Sequence, residues 1–420
     1  MIRQTVLDNG LKVVTEAMPG RRIASVGFWS PAGSARERRA EAGISHLLEH
    51  MLFKGTPRRS AFGIAAALDA VGGDLNAFTD REHSCFHCTL LGDHLKIAIE
   101  VLSDMLFNSH CGEPALTTER AVVLEEIADY EDSPEEVVHD CALRLLWPTH
   151  PLGRPVHGSA RAVMSIDRPA LLAHRDRWYT PSALVVAAAG NLSHDHLVDL
   201  LLSHTPDGSA PRPRFHSRRP KAARGSRILQ RDTEQAHLCL AVPASGWRDE
   251  SRYVDAVLSS AIGAGPSSRL FQQIRERRGL AYNVGAVHVP SETTGTLALY
   301  AGTQPKKVGE VVALFGREIA KIRRAGLRRR ELERVKGCLL ATMQMSMDSP
   351  GLEGRRLGHS LLHRGRIIPP EHTMDRVARV AAEDVTRRAN QLFAEGFWAA
   401  AFAGPLDGDD VPADSGGLRT

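Results

Sequence analysis

The sequence predicts an α+β protein built from two homologous domains, and three observations carry that reading. Segments of strand character and segments of helical periodicity follow one another irregularly, without the repeating strand, helix, strand succession of a parallel, cofactor-binding sheet. Ala187-Ala188-Ala189-Gly190-Asn191-Leu192 is echoed by Ala401-Phe402-Ala403-Gly404-Pro405-Leu406, each a small-residue strand running into a glycine turn, so one unit recurs about half a chain later. Between the copies, the stretch from Pro206 to Ser226 is rich in proline and arginine and has little apolar content to pack, as expected of a connection. The resulting division is 1–210 for the first domain, 211–226 for the linker, 227–406 for the second domain and 407–420 for a tail.

In the first domain, Asn9-Gly10 stands between strand patterns at 5–7 and 11–15, a strong two-residue hairpin signal. Strand patterns follow at 24–29 and 76–90, interleaved with helical ones at 43–53, 62–71, 95–106 and 117–130. The second domain repeats the mixture, with strands near 236–242 and 285–301 and helices near 252–262, 267–277, 308–322 and 329–347. The longest apolar run, at 183–189, reads as a buried strand. It is far short of the roughly 20 residues a membrane-spanning helix needs.

Composition narrows the function. A chain of 420 residues with 43% hydrophobic content has ample material for more than one core. The net charge of +4 is small for this length and the positive residues are dispersed, so nucleic acid is not expected as a partner. Basic runs at 36–39, 212–224 and 328–330 read as solvated surface or linker. The N-terminal Met1-Ile2-Arg3-Gln4-Thr5 lacks the basic-then-apolar layout of a secretion signal, so a cytoplasmic protein without membrane association is expected. Six scattered cysteines are too few for a disulfide framework. Cys85 and Cys88, with His83 and His87 close by, raise the question of a second metal site. Residues three apart in a strand face opposite sides, however, which favours reduced, structural thiols.

The chemistry is concentrated in His46-Leu47-Leu48-Glu49-His50. Residues four apart stack on one helical face, so the two imidazoles can converge on one ion while Glu49 leans over the same spot. Two histidine nitrogens, a carboxylate base and a metal are the parts needed to make hydroxide at neutral pH. A chain with 19 histidines produces such a string by accident at a rate on the order of one in twenty, so a third ligand is needed to raise the signal. Glu119 and Glu126 lie seven residues apart in a helical segment, which puts both on one face two turns apart. One could ligate and the other orient a histidine. Glutamates on helices are usually solvated, as Glu125, Glu131, Glu135 and Glu136 are expected to be, although spacing alone does not separate Glu126 from Glu125.

The pair of histidines, followed 76 residues later by Glu126 in a Glu-Arg-x-Val-x-x-Glu-Glu-Ile context, resembles the inverted-motif zinc peptidases of the pitrilysin and insulinase family M16, in particular its short-chain branch related to mitochondrial processing peptidase. The similarity covers nearly the whole chain. It runs from Asn9-Gly10-Leu11-Lys12-Val13 through Gly72-Gly73-Asp74-Leu75-Asn76-Ala77-Phe78-Thr79, His150-Pro151-Leu152-Gly153 and Tyr179-Thr180-Pro181 to Arg275-Glu276-Arg277-Arg278-Gly279-Leu280-Ala281-Tyr282. The resemblance implies the LuxS/MPP-like metallohydrolase fold, a mainly antiparallel sheet with helices packed on it in each half.

Carried over residue by residue, the resemblance implies that His46, His50 and Glu126 hold one Zn2+ per chain, that Glu49 is the general base and that Glu119 supports the histidines. It further implies that Asn76 and Ala77 lie on an edge strand that pairs with the substrate backbone, an arrangement that permits broad cleavage. Arg275 and Tyr282 match a substrate-binding arginine and an oxyanion-stabilising tyrosine. Read bare, the same residues would be a surface arginine and a half-buried tyrosine. Relatives with four such units close around the peptide as one chain. With two units, this chain is expected to pair, as a homodimer enclosing a chamber in which Arg275 and Tyr282 complete the partner's site, or as a heterodimer with a related chain. The expected function is a zinc endopeptidase acting on peptides or unfolded segments. A non-catalytic assembly subunit is the alternative, although such partners usually lose ligands or the base and this chain retains both.

Overall fold

The structure, a computed structural model, describes residues 1–208, 213, 215, 218–397, 399–408, 410 and 411. The expected linker at 211–226 and tail at 407–420 thus lie partly outside the described residues. The chain forms two compact units that interleave in sequence: Met1–Ile127, Pro155–His216 and Gln344–Ile368 in the first, and Ala128–Arg154, Ser217–Met343 and Pro369–Thr420 in the second. The division expected from the sequence is contiguous and assigns 128–154 and 344–368 to the other halves.

The first unit is built on a six-stranded sheet from β1 (Ile2–Val6), β2 (Lys12–Ala17), β3 (Ile23–Ser30), β4 (Asp74–Thr79), β5 (Ser84–Leu91) and β6 (Val185–Gly190). Their order is β1-β2-β6-β3-β5-β4, with every neighbour antiparallel except β2 and β6. The hairpin expected at Asn9-Gly10 joins β1 to β2, but its loop is longer than two residues: Leu7 N–H donates to the Leu11 carbonyl at 2.9 Å across Asp8-Asn9-Gly10, with Gly10 at φ 87°. The strand expected over 76–90 is a hairpin, β4 and β5, closed where Asp80 N–H donates to the His83 carbonyl at 2.8 Å.

The second unit has a five-stranded sheet from β7 (Gly225–Gln230), β8 (Ala236–Ala244), β9 (Ala281–Pro290), β10 (Gly295–Thr303) and β11 (Ala399–Gly404), in the order β7-β11-β8-β10-β9. Here too a single expected strand, 285–301, is a hairpin. Again one pair, β7 with β11, is parallel and the rest are antiparallel. The order matches that of the first sheet with β2, β6, β3, β5 and β4 replaced by β7, β11, β8, β10 and β9. The alanine-rich echo falls on β6 and β11, which occupy equivalent places and are buried throughout. This is the mainly antiparallel, two-domain α+β architecture expected.

On one face of the first sheet lies the main core, with α1 (Ile44–Leu52), α2 (Ala61–Asp69), α3 (Leu95–Asn108) and α4 (Glu113–Asp132) contributing Leu47, Leu48, Met51, Leu68, Leu102, Met105 and Val123. The other face is also apolar and needs a cover, because β3 and β6 are buried on both sides. That cover is the helix Pro350–Arg364, whose Leu357, Leu361 and Leu362 pack on Val14, Trp29, Cys85, Val185 and Ala187. In the second unit α5 (Pro134–Leu146) packs on β8 and β11.

Cys88 faces the main core and Cys85 the opposite cluster, as a strand requires of residues three apart. The two sulfurs therefore do not converge on one site, and burial raises the Cys88 thiol to about 12 and Cys85 well above its usual value, in keeping with protonated structural thiols. Among the described residues no helix is long and apolar enough to cross a membrane.

His83, in the β4–β5 turn, meets His359 and His363 of the covering helix, with ring centroids 5.6 and 5.1 Å away and His363 Nε2 3.2 Å from His83 Nδ1. Burial is the first cause holding all three below the ordinary histidine value. His359 falls to about 3, with His83 and Arg364 adding and Asp80 opposing, while His359, His83, Arg36 and Arg364 add to the effect on His363. Each ring is neutral in the fold and takes a proton near 6.5 when unfolded. The stability they lend is therefore complete above that value and is lost as pH falls toward the folded values. For His359, whose folded value is about 3, the cost at pH 5 is on the order of 2 kcal/mol, and the other two rings act in the same direction. Thermal unfolding is expected several degrees lower at pH 5 than at pH 7.5, and His363→Gln should shrink that difference; an unchanged difference would contradict the assignment.

Candidate metal centre and catalytic groups

Helix α1 begins at Gly43, whose φ of 97° favours glycine and where a Cβ would sit 2.5 Å from the His157 carbonyl oxygen. The buried Glu37 carboxylate caps it, accepting from Gly43 N–H at 2.8 Å and Ser45 N–H at 2.9 Å, which suits the positive end of a helix. Leu47, Leu48, Met51 and Leu52 lock the opposite face in the core, so His46, Glu49 and His50 are presented together.

Helix α4 brings the third candidate ligand. Glu126 Oε2 lies 3.7 Å from His46 Nε2 and 3.4 Å from His50 Nε2. Among the described residues these three are the group whose ligand atoms converge, all within 4.8 Å of one another. Tetrahedral zinc with bonds of about 2.0–2.2 Å sets its ligand atoms roughly 3.3 Å apart, so the donor set fits zinc. Glu125, which spacing could not distinguish, is exposed and belongs to no such group.

Two turns before Glu126, the buried Glu119 reaches His50 Nδ1 through Oε2 at 3.2 Å and Lys54 Nζ through Oε1 at 2.8 Å. Donation from Nδ1–H to Glu119 leaves the His50 Nε2 lone pair for the metal. His46 Nδ1, by contrast, is buried without a hydrogen-bond partner among the described residues, so packing alone orients that ring. Burial, then His50 and His157, lower His46 to about 4, keeping it in the neutral form that ligates. Burial raises Glu49 above the usual carboxylate range; a hydrogen bond from Thr79 and the nearby His50 oppose the shift, and Glu126 adds to it. A carboxylate moved toward neutrality suits a group that must take and return a proton.

Asn76 and Ala77 lie on β4, the outer strand of the sheet, where the exposed Ala77 N–H donates to Asn76 Oδ1 at 2.8 Å. Arg275 and Tyr282 belong to the second unit. The helix expected at 267–277 is a π-helical turn over Phe271–Glu276, a form often found at functional positions. It sets the Arg275 guanidinium over the rings of Phe271 and Tyr282, at 4.7 and 4.4 Å from their centroids. Tyr282 is 77% exposed, more than the half-burial the bare sequence suggests. Thr79, Glu37 and Lys54 were not singled out from the sequence as functional. Thr79 and Lys54 carried a signal there only as members of stretches that bear the family resemblance, 72–79 and 46–56, and Glu37 carried none.

The family description "Insulinase (Peptidase family M16)" matches residues 12–160, and "Peptidase M16 inactive domain" matches residues 165–338, the part without the histidine motif. An uncharacterized zinc protease of Mycobacterium tuberculosis is 40% identical over 405 residues, covering 95% of this chain and 92% of the relative. Among solved structures, a protease from Helicobacter pylori has a TM-score of 0.90 at 18% identity, covering 96% of this chain and 98% of its own. A peptidase M16 inactive domain from Pseudomonas fluorescens has a TM-score of 0.88 at 19% identity, with the same two coverages. On its sequence and its fold, the chain belongs to the insulinase family of zinc proteases, peptidase family M16.

Proposed function

We propose that this chain is a catalytically active zinc endopeptidase that hydrolyses peptides or unfolded segments inside a chamber formed by two copies. The observation that carries the reading is the meeting of His46, His50 and Glu126 from two helices, with Glu49 on the same helical face as the histidines. Zinc at that position supplies a Lewis acid for the carbonyl and for water. Glu49 takes a proton from the attacking water as the new C–O bond forms, then hands it to the departing amine as the C–N bond breaks. Strand β4, with Asn76 and Ala77, receives the substrate backbone as an added strand. Arg275 and Tyr282 of a second copy hold the peptide carbonyls and donate to the oxygen that gains charge.

The test is metal content together with cleavage of a generic peptide library. Purified chain is expected to carry zinc stoichiometrically, to cleave at internal bonds, to lose activity with a chelator and to regain it with added zinc. Material that never retains zinc, or that retains it and cleaves nothing, would overturn the reading and favour an assembly role.

A further inference from the structure

We infer that Thr79 is a positioning residue that ties the base, Glu49, to the strand on which the substrate docks, so that docking and base placement share one element. This rests on the reading of Glu49 as base. Thr79 Oγ1 donates to Glu49 Oε2 at 2.6 Å. A threonine hydroxyl has a single hydrogen, so this bond commits it. It holds one carboxylate oxygen and leaves Oε1 to receive the proton.

Behind the hydroxyl stands a second one, Ser84, whose single hydrogen can go to Thr79 Oγ1 or to the Ala32 carbonyl oxygen. Thr79 faces Ser84 in the last rung of the β4–β5 ladder, and Ser84 Oγ lies 3.0 Å from Thr79 Oγ1 and 3.0 Å from the Ala32 carbonyl oxygen. Thr79 also closes β4, two residues beyond Ala77 and three beyond Asn76. A peptide added along the outer side of β4 restrains that strand through main-chain hydrogen bonds. The restraint reaches Glu49 through one short, charge-assisted bond. Without it, the glutamate regains rotamer freedom, and a base held out of reach of the water proton loses rate rather than substrate affinity.

The experiment compares zinc-loaded wild type, Thr79→Val and Thr79→Ser. Valine keeps the shape and removes the donor; serine keeps the donor. Thr79→Val is expected to lower kcat about 10–100-fold, as for a lost hydrogen bond to a charged group, with KM, zinc content and unfolding midpoint within about twofold or a few degrees of wild type. Thr79→Ser should recover most of kcat. A kcat for Thr79→Val within twofold of wild type, or equal losses in both variants, would overturn the inference. If wild type cleaves nothing, the peptidase reading fails separately. Crystal structures of zinc-loaded wild type and Thr79→Val then decide the link, which stands if the Glu49 carboxylate leaves its place in the valine variant and falls if it stays.

Discussion

Glutamine in place of Glu49 is expected to leave zinc bound at one ion per chain while peptide hydrolysis falls about 10²–10⁴-fold, the usual share of a general acid–base group. The two halves of that outcome have separate structural causes. The converging ligand atoms come from His46, His50 and Glu126, so the metal does not depend on Glu49. The amide is nearly isosteric and its oxygen can still accept from Thr79 Oγ1, so the local packing of α1 and β4 survives. What is lost is the capacity to take a proton from water and return it to the amine. Metal analysis beside kcat/KM on one peptide reads both halves. Full hydrolysis with full zinc would place the base elsewhere, and loss of zinc would make Glu49 a determinant of the metal site instead.

The parts of the site that could be read from the sequence are those set by local geometry. His46, Glu49 and His50 share a face because a helix repeats every 3.6 residues, whatever surrounds it. The third ligand is decided by how α4 lies against α1, and that is why adjacent Glu125 and Glu126 could not be told apart without the fold. Thr79 is further removed, because its bond to Glu49 joins a strand and a helix 30 residues apart. The alternating strands and the β6/β11 echo were accessible, but both hairpins read as single strands. The turn at 80–83, Asp-Arg-Glu-His, has neither glycine nor proline to mark it.

The covering helix Pro350–Arg364 escaped for a physical reason. Gly351, Gly354 and Gly358 argue against helix, each costing up to about 1 kcal/mol relative to alanine. Gly358 cannot be otherwise, because a Cβ there would lie 2.2 Å from Trp29 Nε1. Close packing on the sheet outweighs propensity, and nothing local announces that a segment from one half of the chain covers the other half's sheet.

Mixing Glu49→Gln chains with Tyr282→Phe chains is expected to restore about a quarter of wild-type activity, although each variant alone is nearly inactive. Loss of one donor to a developing oxyanion costs about 10²–10³-fold, so both parents start low. In a two-fold dimer completed in trans, each site takes Glu49 from one copy and Tyr282 from the other. A mixed dimer then holds one site with both defects and one with neither. Random exchange makes roughly half the dimers mixed, so about one site in four is intact. Completion within one chain gives the opposite result, since every site would carry a defect. The exposure of Tyr282 and the guanidinium stacked on its ring suit a pair presented to another molecule. Differently tagged chains, purified as the mixed dimer, sharpen the reading to about half of wild-type activity per dimer. A mixed dimer no more active than its parents would rule out completion in trans, and Tyr282 would then have to serve its own chain or none.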